Sequence, residues 1–204
     1  MSARGRFITV EGVDGAGKST HLKFIADAIR ARGHHVVETR EPGGTVLADE
    51  IREVVLKEKL PPKVVTLLVF AGRADHVKRV IEPALTAGDW VVCDRFTDST
   101  IAYQGAGEGA PRDLIDRLAK AAHPGLVPDR TFIFDVPYAV STQRLQTSGK
   151  TLDRFERENH EFVERVRSAY QAIAMAEPQR VRVIDASGDI VQIRKLIEEN
   201  LKDL

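Results

Sequence analysis

Residues 12–20 read Gly12-Val13-Asp14-Gly15-Ala16-Gly17-Lys18-Ser19-Thr20. Glycines at this spacing allow a tight turn whose backbone N–H groups aim inward. A helix opening at Ser19 adds its positive end, so the segment suits a phosphate. Lys18 has the reach for the β- and γ-phosphates of a nucleotide such as ATP, and the Ser19 hydroxyl is a ligand for Mg²⁺. The competing account is a chance Gly-rich turn, which leaves unexplained the apolar run before it and the amphipathic stretch after it. The loop alone does not separate a kinase from a switch or a motor. A GTPase carries an Asn-Lys-x-Asp guanine reader, and here Asn159 is followed by His160 and Asn200 by Leu201. Motor ATPases are larger.

Other residues can complete such a chemistry. Trp90-Val91-Val92-Cys93-Asp94-Arg95 ends an apolar run in Asp94, suited to a second Mg²⁺ contact, and in Arg95, which can clamp a second phosphate. In Thr97-Asp98-Ser99-Thr100-Ile101-Ala102-Tyr103-Gln104, the residues Thr100, Tyr103 and Gln104 fall within one helical turn. Their hydroxyl and amide groups both donate and accept, as a nucleobase edge requires, and Tyr103 adds a flat wall. The bland alternative is a solvated helix start. Thr39-Arg40-Glu41-Pro42-Gly43-Gly44-Thr45 is either part of a site or a Pro-Gly turn capped by Thr45. Phe70 and Arg73, three apart on a helical pattern, can stack on and hydrogen-bond a base.

The elements that must position these groups follow from short apolar runs at 7–10, 35–39, 90–93, 131–136 and 181–184, rich in Val, Ile and Phe. They read as buried parallel strands. Helical patterns lie between them at 19–31, 45–57, 64–87, 112–122, 138–147, 155–176 and 190–201, mostly stopped by Gly or Pro. Strand alternating with helix predicts an α/β fold with helices on both faces of a parallel sheet and ligands beyond the carboxyl ends of the strands. Glu11, Arg40, Asp94, Asp135 and Asp185 stand at those ends.

The chain has 204 residues, 30 basic against 30 acidic, with 20 Arg to 10 Lys and 43% hydrophobic residues. A single domain over 1–204 with a full-sized core is the expectation. Zero net charge argues against a nucleic-acid binder. No apolar run approaches a membrane span or signal segment, which predicts a cytoplasmic protein with Cys93 as a small buried hydrophobe. The six His show no metal-ligand spacing.

EGVDGAGKST, TREPGGT, VIEPAL, CDRF, DSTIAYQG and LDRFE, in this order over most of the chain, resemble the bacterial thymidylate kinases. The resemblance implies a three-layer P-loop fold with a five-stranded parallel sheet ordered 2-3-1-4-5. It further implies a homodimer, with ATP, Mg²⁺ and dTMP as ligands and no nucleic acid or membrane partner. Arg95, with Arg52 as a second candidate, then holds the dTMP phosphate. Arg73 and Thr100 read thymine, Tyr103 closes the space of a ribose 2′-OH, and Ser99 and Gln104 belong to the same substrate set. Asp14 sits near the 3′-OH and the metal, while Glu41 and Pro42 shape the pocket floor. In several relatives a stacking aromatic stands four residues before the Arg, where this chain has Val69, and Phe70 takes that role here. A lid over 143–156 supplies the cation that the phosphate loop lacks at Gly15, with Arg144 or Lys150 as the choice and Arg154 able to pair with Asp153 or Glu156. Ile184-Asp185-Ala186-Ser187 borders the adenine. The remaining readings are a kinase for another nucleotide and a regulatory nucleotide switch.

Overall fold

The structure, a computed structural model, describes residues 4–147, 149, 153–156 and 158–204. The apolar runs form one parallel sheet from β1 Phe7–Gly12, β2 Val36–Arg40, β3 Trp90–Asp94, β4 Arg130–Asp135 and β5 Val181–Asp185, in spatial order β2-β3-β1-β4-β5. Successive side chains of a strand face opposite sides. Ile8, Val10, Val92 and Phe132 therefore pack with α1 (Lys18–Arg30), α8 (His160–Ala176) and α9 (Ile190–Leu201). Phe7, Val91 and Cys93 join a second cluster on Val77, Ile81 and Leu85. Burial from both sides is why β1 is apolar at Phe7, Ile8 and Val10, while the buried Thr9 hydroxyl pairs with that of Thr131 at 2.7 Å.

The helical pattern over 64–87 is realised in three pieces. They are α3 Pro62–His76, a π-helical segment Val77–Ile81, and α4 Glu82–Ala87, which ends at Gly88 with φ +94°. Pro83 lacks the N–H that a regular ladder needs, so the hydrogen-bond pattern changes ahead of it. α2 Val46–Lys57 packs on α3 and starts at Thr45, whose hydroxyl accepts the Ala48 N–H at 3.1 Å. After β3, a four-residue helix α5 (Thr97–Thr100) widens into a π-helical segment Ile101–Gly107, and α6 Arg112–Ala122 follows. Asp98, Ser99, Thr100, Tyr103 and Gln104 are all buried there, so this stretch is not a solvated helix start.

The candidate lid leaves α7 Tyr138–Thr147. The predicted helix start at 155 is corrected to His160, capped by Asn159, whose Oδ1 accepts the Phe162 N–H at 3.0 Å. Residues 153–156 form a turn instead, because Asp153 Oδ1 accepts the N–H groups of Phe155 (2.9 Å) and Glu156 (3.0 Å). Lys150 lies outside the described residues. Among the described residues no helix is long and apolar enough to cross a membrane.

Glu11, fully buried near the end of β1, ties the strand ends together. Its Oε1 accepts the Phe96 N–H at 2.8 Å, and its Oε2 accepts the Ser99 hydroxyl at 2.5 Å and the Tyr170 hydroxyl at 3.0 Å. Burial, with Asp98 nearby, pushes the Glu11 carboxyl up to about 7. The native state therefore holds a proton that the unfolded chain releases near 4.5, and unfolding free energy falls as pH rises between these values. Glu11→Gln should abolish that loss. In urea titrations, the parent should lose on the order of 2 kcal/mol relative to the variant between about pH 4.5 and 7.5.

Candidate active site

The loop after β1 needs its glycines for distinct reasons. Gly12, Gly15 and Gly17 lie at φ +136°, +80° and +86°. A Cβ on Gly12 would stand 2.4 Å from the Phe134 carbonyl oxygen, and one on Gly15 would stand 2.4 Å from that of Ser141. Val13 and Ala16 are buried in the core, so they offer a ligand only backbone. Lys18, 7% exposed, folds back across the loop and donates to the carbonyls of Gly12 (3.0 Å) and Val13 (2.9 Å), with Asp14 Oδ1 at 3.6 Å. Burial, with Arg95 adding to it, pulls the Lys18 ammonium below its ordinary pKa. Ser19 and Thr20 are exposed at the start of α1. Asp14, Gly15, Gly17, Lys18, Ser19 and Thr20 line a cleft of about 1200 Å³ together with Arg40, Asp94, Arg95 and Arg144.

Among the described residues, Arg95 is the non-glycine residue at positive φ, +72°. Its backbone N–H donates to Val10 at 2.9 Å, and the next N–H, from Phe96, is the one held by Glu11. The left-handed turn aims the guanidinium back across the loop. There it forms an ion pair with Asp14 and donates to the hydroxyls of Tyr103 (3.1 Å) and Ser99 (3.2 Å). The Tyr103 hydroxyl in turn donates to Asp14 Oδ2 at 2.9 Å. Burial alone would raise the Asp14 carboxyl, but the Arg95 and Lys18 charges and the Tyr103 hydroxyl outweigh it and hold the group at about 2.

Beyond this triangle lies a second cavity, of about 580 Å³, with Asp14, Glu41, Pro42, Arg52, Arg73, Arg95, Ser99, Thr100, Tyr103 and Gln104 among its lining. Arg73 is 2% exposed and donates from Nε to Glu41 Oε2 at 2.5 Å and from Nη2 to Thr100 Oγ1 at 3.0 Å, while its Nη1 has no partner among the described residues. Arg52 donates to the Pro42 carbonyl at 3.1 Å, and Gln104 donates to Glu108 at 3.3 Å.

Phe70 does not line this cavity; Val69 does. The Phe70 ring lies 4.6 Å from the Arg73 guanidinium and packs with Ala110 and Ile115 in the core. The π-face foreseen for a ligand thus supports the arginine instead, because residues 69 and 70 point about 100° apart on a helix. Phe155 lines the cavity, 5.7 Å edge-on to Tyr103, although it lay inside a stretch read as helix. His76 was also missed: its Nδ1 is 2.9 Å from Glu41 Oε1. Its spacing of three from Arg73 on one helix was the available signal.

Arg154 donates to the Val55 carbonyl at 2.8 Å and pairs with Glu108 at 3.0 Å rather than with Asp153 or Glu156, tethering the turn to α2. Arg144 donates to the Ala186 carbonyl at 2.9 Å and lines the cleft of the phosphate loop. Of the polar strand ends, Asp135 is taken by Arg167 (2.6 and 2.9 Å), Arg40 by Asp49 (2.9 Å), and Asp185 by Ser187 (2.5 Å). Asp94 differs, since its Oδ1 is buried without a partner among the described residues. Beside the Ser19 hydroxyl, such an oxygen fits a hard divalent cation or its bound water.

Comparison with known proteins agrees with this geometry. Residues 10–197 match the thymidylate kinase family. The chain is 52% identical over 204 residues to the thymidylate kinase of Bordetella petrii, covering 100% of this chain and 98% of that one. It is 48% identical over 200 residues to that of Methylobacillus flagellatus, covering 98% of each. It superposes on a crystal structure of thymidylate kinase from Ehrlichia chaffeensis with a TM-score of 0.79 at 34% identity, covering 98% of this chain and 99% of that one. With a phosphate loop, an arginine-rich second cavity beside it and similarity along nearly its whole length, the chain belongs to the thymidylate kinase family.

Proposed function

We propose that this protein transfers the γ-phosphoryl group of ATP to dTMP, giving dTDP and ADP. The observation that carries the reading is the second cavity. It opens beside the phosphate loop, bounded by Arg95 at one part of its wall and by Arg73 and Thr100 at another. A phosphate and a base edge are the two ends of a nucleotide, and each meets the donors suited to it.

The acceptor oxygen belongs to an anionic phosphate and is already a nucleophile at neutral pH, so no general base is needed. Positioning and charge neutralisation then carry the reaction. Bringing two unit negative charges to 4 Å costs about 4 kcal/mol at an effective dielectric near 20. Lys18 and Arg95 offset that repulsion, with Arg52 in reach of the same cavity. Mg²⁺ fits at Ser19 and the unpartnered Asp94 Oδ1; when bound it neutralises phosphate charge. Tyr103, locked to Asp14 and Arg95, is the wall that excludes a ribose 2′-OH. Arg73 presents its Nη1 donor to a base carbonyl, with Thr100 and Gln104 alongside. Arg144 or Lys150 supplies the lid cation.

A cytoplasmic homodimer completes the reading. Leu47, Val54, Val64 and Leu67 leave apolar surface exposed on the packed pair α2 and α3, the face this reading assigns to the second copy.

The direct test is ADP release from ATP with dTMP, dUMP, ribo-TMP, AMP, GMP and CMP as acceptors. dTMP should be strongly preferred over the purine nucleotides and over ribo-TMP. The margin over dUMP rests on one methyl and should be about 10–200-fold. Good turnover on another acceptor with little on dTMP would overturn the proposal, and nucleotide-dependent partner binding without turnover would favour a switch. Lys18→Ala should lower kcat by about 10²–10³-fold through loss of a preorganised cation. Arg95→Lys should raise the dTMP KM by about tenfold, because an ammonium cannot hold Asp14, two hydroxyls and a phosphate with one planar fork. Of Arg144→Ala and Lys150→Ala, at least one should lower kcat by about tenfold or more; if both stay within a few-fold, the lid-cation assignment fails.

A further inference from the structure

His76 is fully buried and does not itself line the cavity, which it meets through Glu41. Its Nδ1 is 2.9 Å from Glu41 Oε1 and its Nε2 is 2.7 Å from Thr39 Oγ1. Burial by itself would raise the Glu41 carboxyl, but the Arg73 charge and the His76 hydrogen bond overcome it and keep the group below its ordinary pKa. A carboxylate only accepts, so the proton between Glu41 and His76 belongs to Nδ1, and Nε2 is left to the Thr39 hydroxyl. The ring cannot slide away from this position. A Cβ on Gly44 would stand 2.5 Å from His76 Nε2 and 2.7 Å from Thr39 Oγ1, so the loop backbone closes directly over both.

The consequence falls on Arg73. A carboxylate free to use both oxygens takes an arginine side-on, one oxygen on Nε and the other on an Nη. Here Glu41 engages Arg73 only through Oε2 and Nε, at 2.5 Å, because Oε1 is occupied by His76. Nη2 is thereby left for Thr100, at 3.0 Å, and Nη1 is left with no partner among the described residues. Phe70 and Phe96, 4.6 and 5.1 Å from the guanidinium, hold its plane but supply no polar restraint on rotation within that plane. That restraint comes from Glu41 and Thr100, and through Glu41 from His76.

We propose that His76 is a positioning residue for base selectivity: by holding one oxygen of Glu41, it keeps the Glu41–Arg73 pair single-pronged and reserves an Arg73 donor for a base carbonyl. This inference rests on the dTMP reading above. A donor at that place favours a pyrimidine with a 4-carbonyl over one with a 4-amino group, since the latter meets it donor to donor. Freed from His76, Oε1 would turn onto the guanidinium, displace Thr100 and rotate the remaining donor off the base.

The test compares His76→Leu, which keeps bulk without a donor, with His76→Asn, whose amide can replace the Nδ1 donor. His76→Leu should raise the dTMP KM by about tenfold or more and shrink the dTMP-over-dCMP ratio of kcat/KM by a similar factor, with kcat and the ATP KM within about threefold of the parent. His76→Asn should recover most of both losses. A folded His76→Leu with dTMP KM and selectivity ratio within about twofold of the parent would overturn the proposal, as would His76→Asn no better than His76→Leu. Should His76→Leu fail to fold, Thr39→Val frees the other side of the ring. It should move both quantities in the same direction, and no movement there would equally overturn the proposal. A parent protein inactive on dTMP would instead sink the reading on which the inference rests.

Discussion

The candidate site depends on one backbone constraint, the left-handed conformation of Arg95 at φ +72°. A residue with a Cβ enters that region at a cost of roughly 1–2 kcal/mol, and it stays there only when its surroundings over-determine it. The Val10 carbonyl holds the Arg95 N–H, and the Glu11 carboxyl holds the Phe96 N–H that follows. A right-handed residue would carry the side chain away from the loop. The observed turn sends it back over the loop, into the triangle with Asp14 and Tyr103. Glu11 also receives the hydroxyls of Ser99 and Tyr170, so β1, the turn after β3 and α8 are joined at one buried carboxyl.

Charge is then handled by two clusters, one beside the phosphate loop and one in the second cavity. At one, the Asp14 carboxylate lies between Lys18 and Arg95 and offsets their charge. At the other, the Glu41–Arg73 pair lies almost wholly out of water. A buried pair of this kind gains little net stability, since desolvation consumes much of the attraction. What it secures is direction, a guanidinium fixed by Glu41, Thr100 and two aromatic faces with one donor unspent.

The parallel strands and the phosphate loop were legible along the chain, because their signals are local. A doubly buried strand is apolar at most positions, and a loop with three positive-φ turns needs glycine at them. The aromatic wall was not legible. Val69 and Phe70 are adjacent, and only the rotation of α3 against α2 and α6 decides that valine faces the cavity while phenylalanine backs Arg73. Apolar periodicity carried the predicted helix back to Phe155, whereas the Asp153 carboxyl closes a turn there and Asn159 starts the helix five residues later than expected. Arg154, with several carboxylates near it in sequence, found Glu108, which is remote along the chain.

Residue order by itself determined the fold class, the glycine-rich loop after β1 and the family, because each rests on patterns of spacing that survive without coordinates. Tertiary structure alone decided which charged groups meet. The ion pairs of Asp14 with Arg95 and of Glu41 with Arg73 join residues far apart in the chain, and the His76 contact that orients the second depends on a loop folding over a helix face. Local propensity fixes backbone shape over a few residues. The partner of a buried charge is selected by what the closed core leaves within hydrogen-bonding distance, and no short-range rule contains that information.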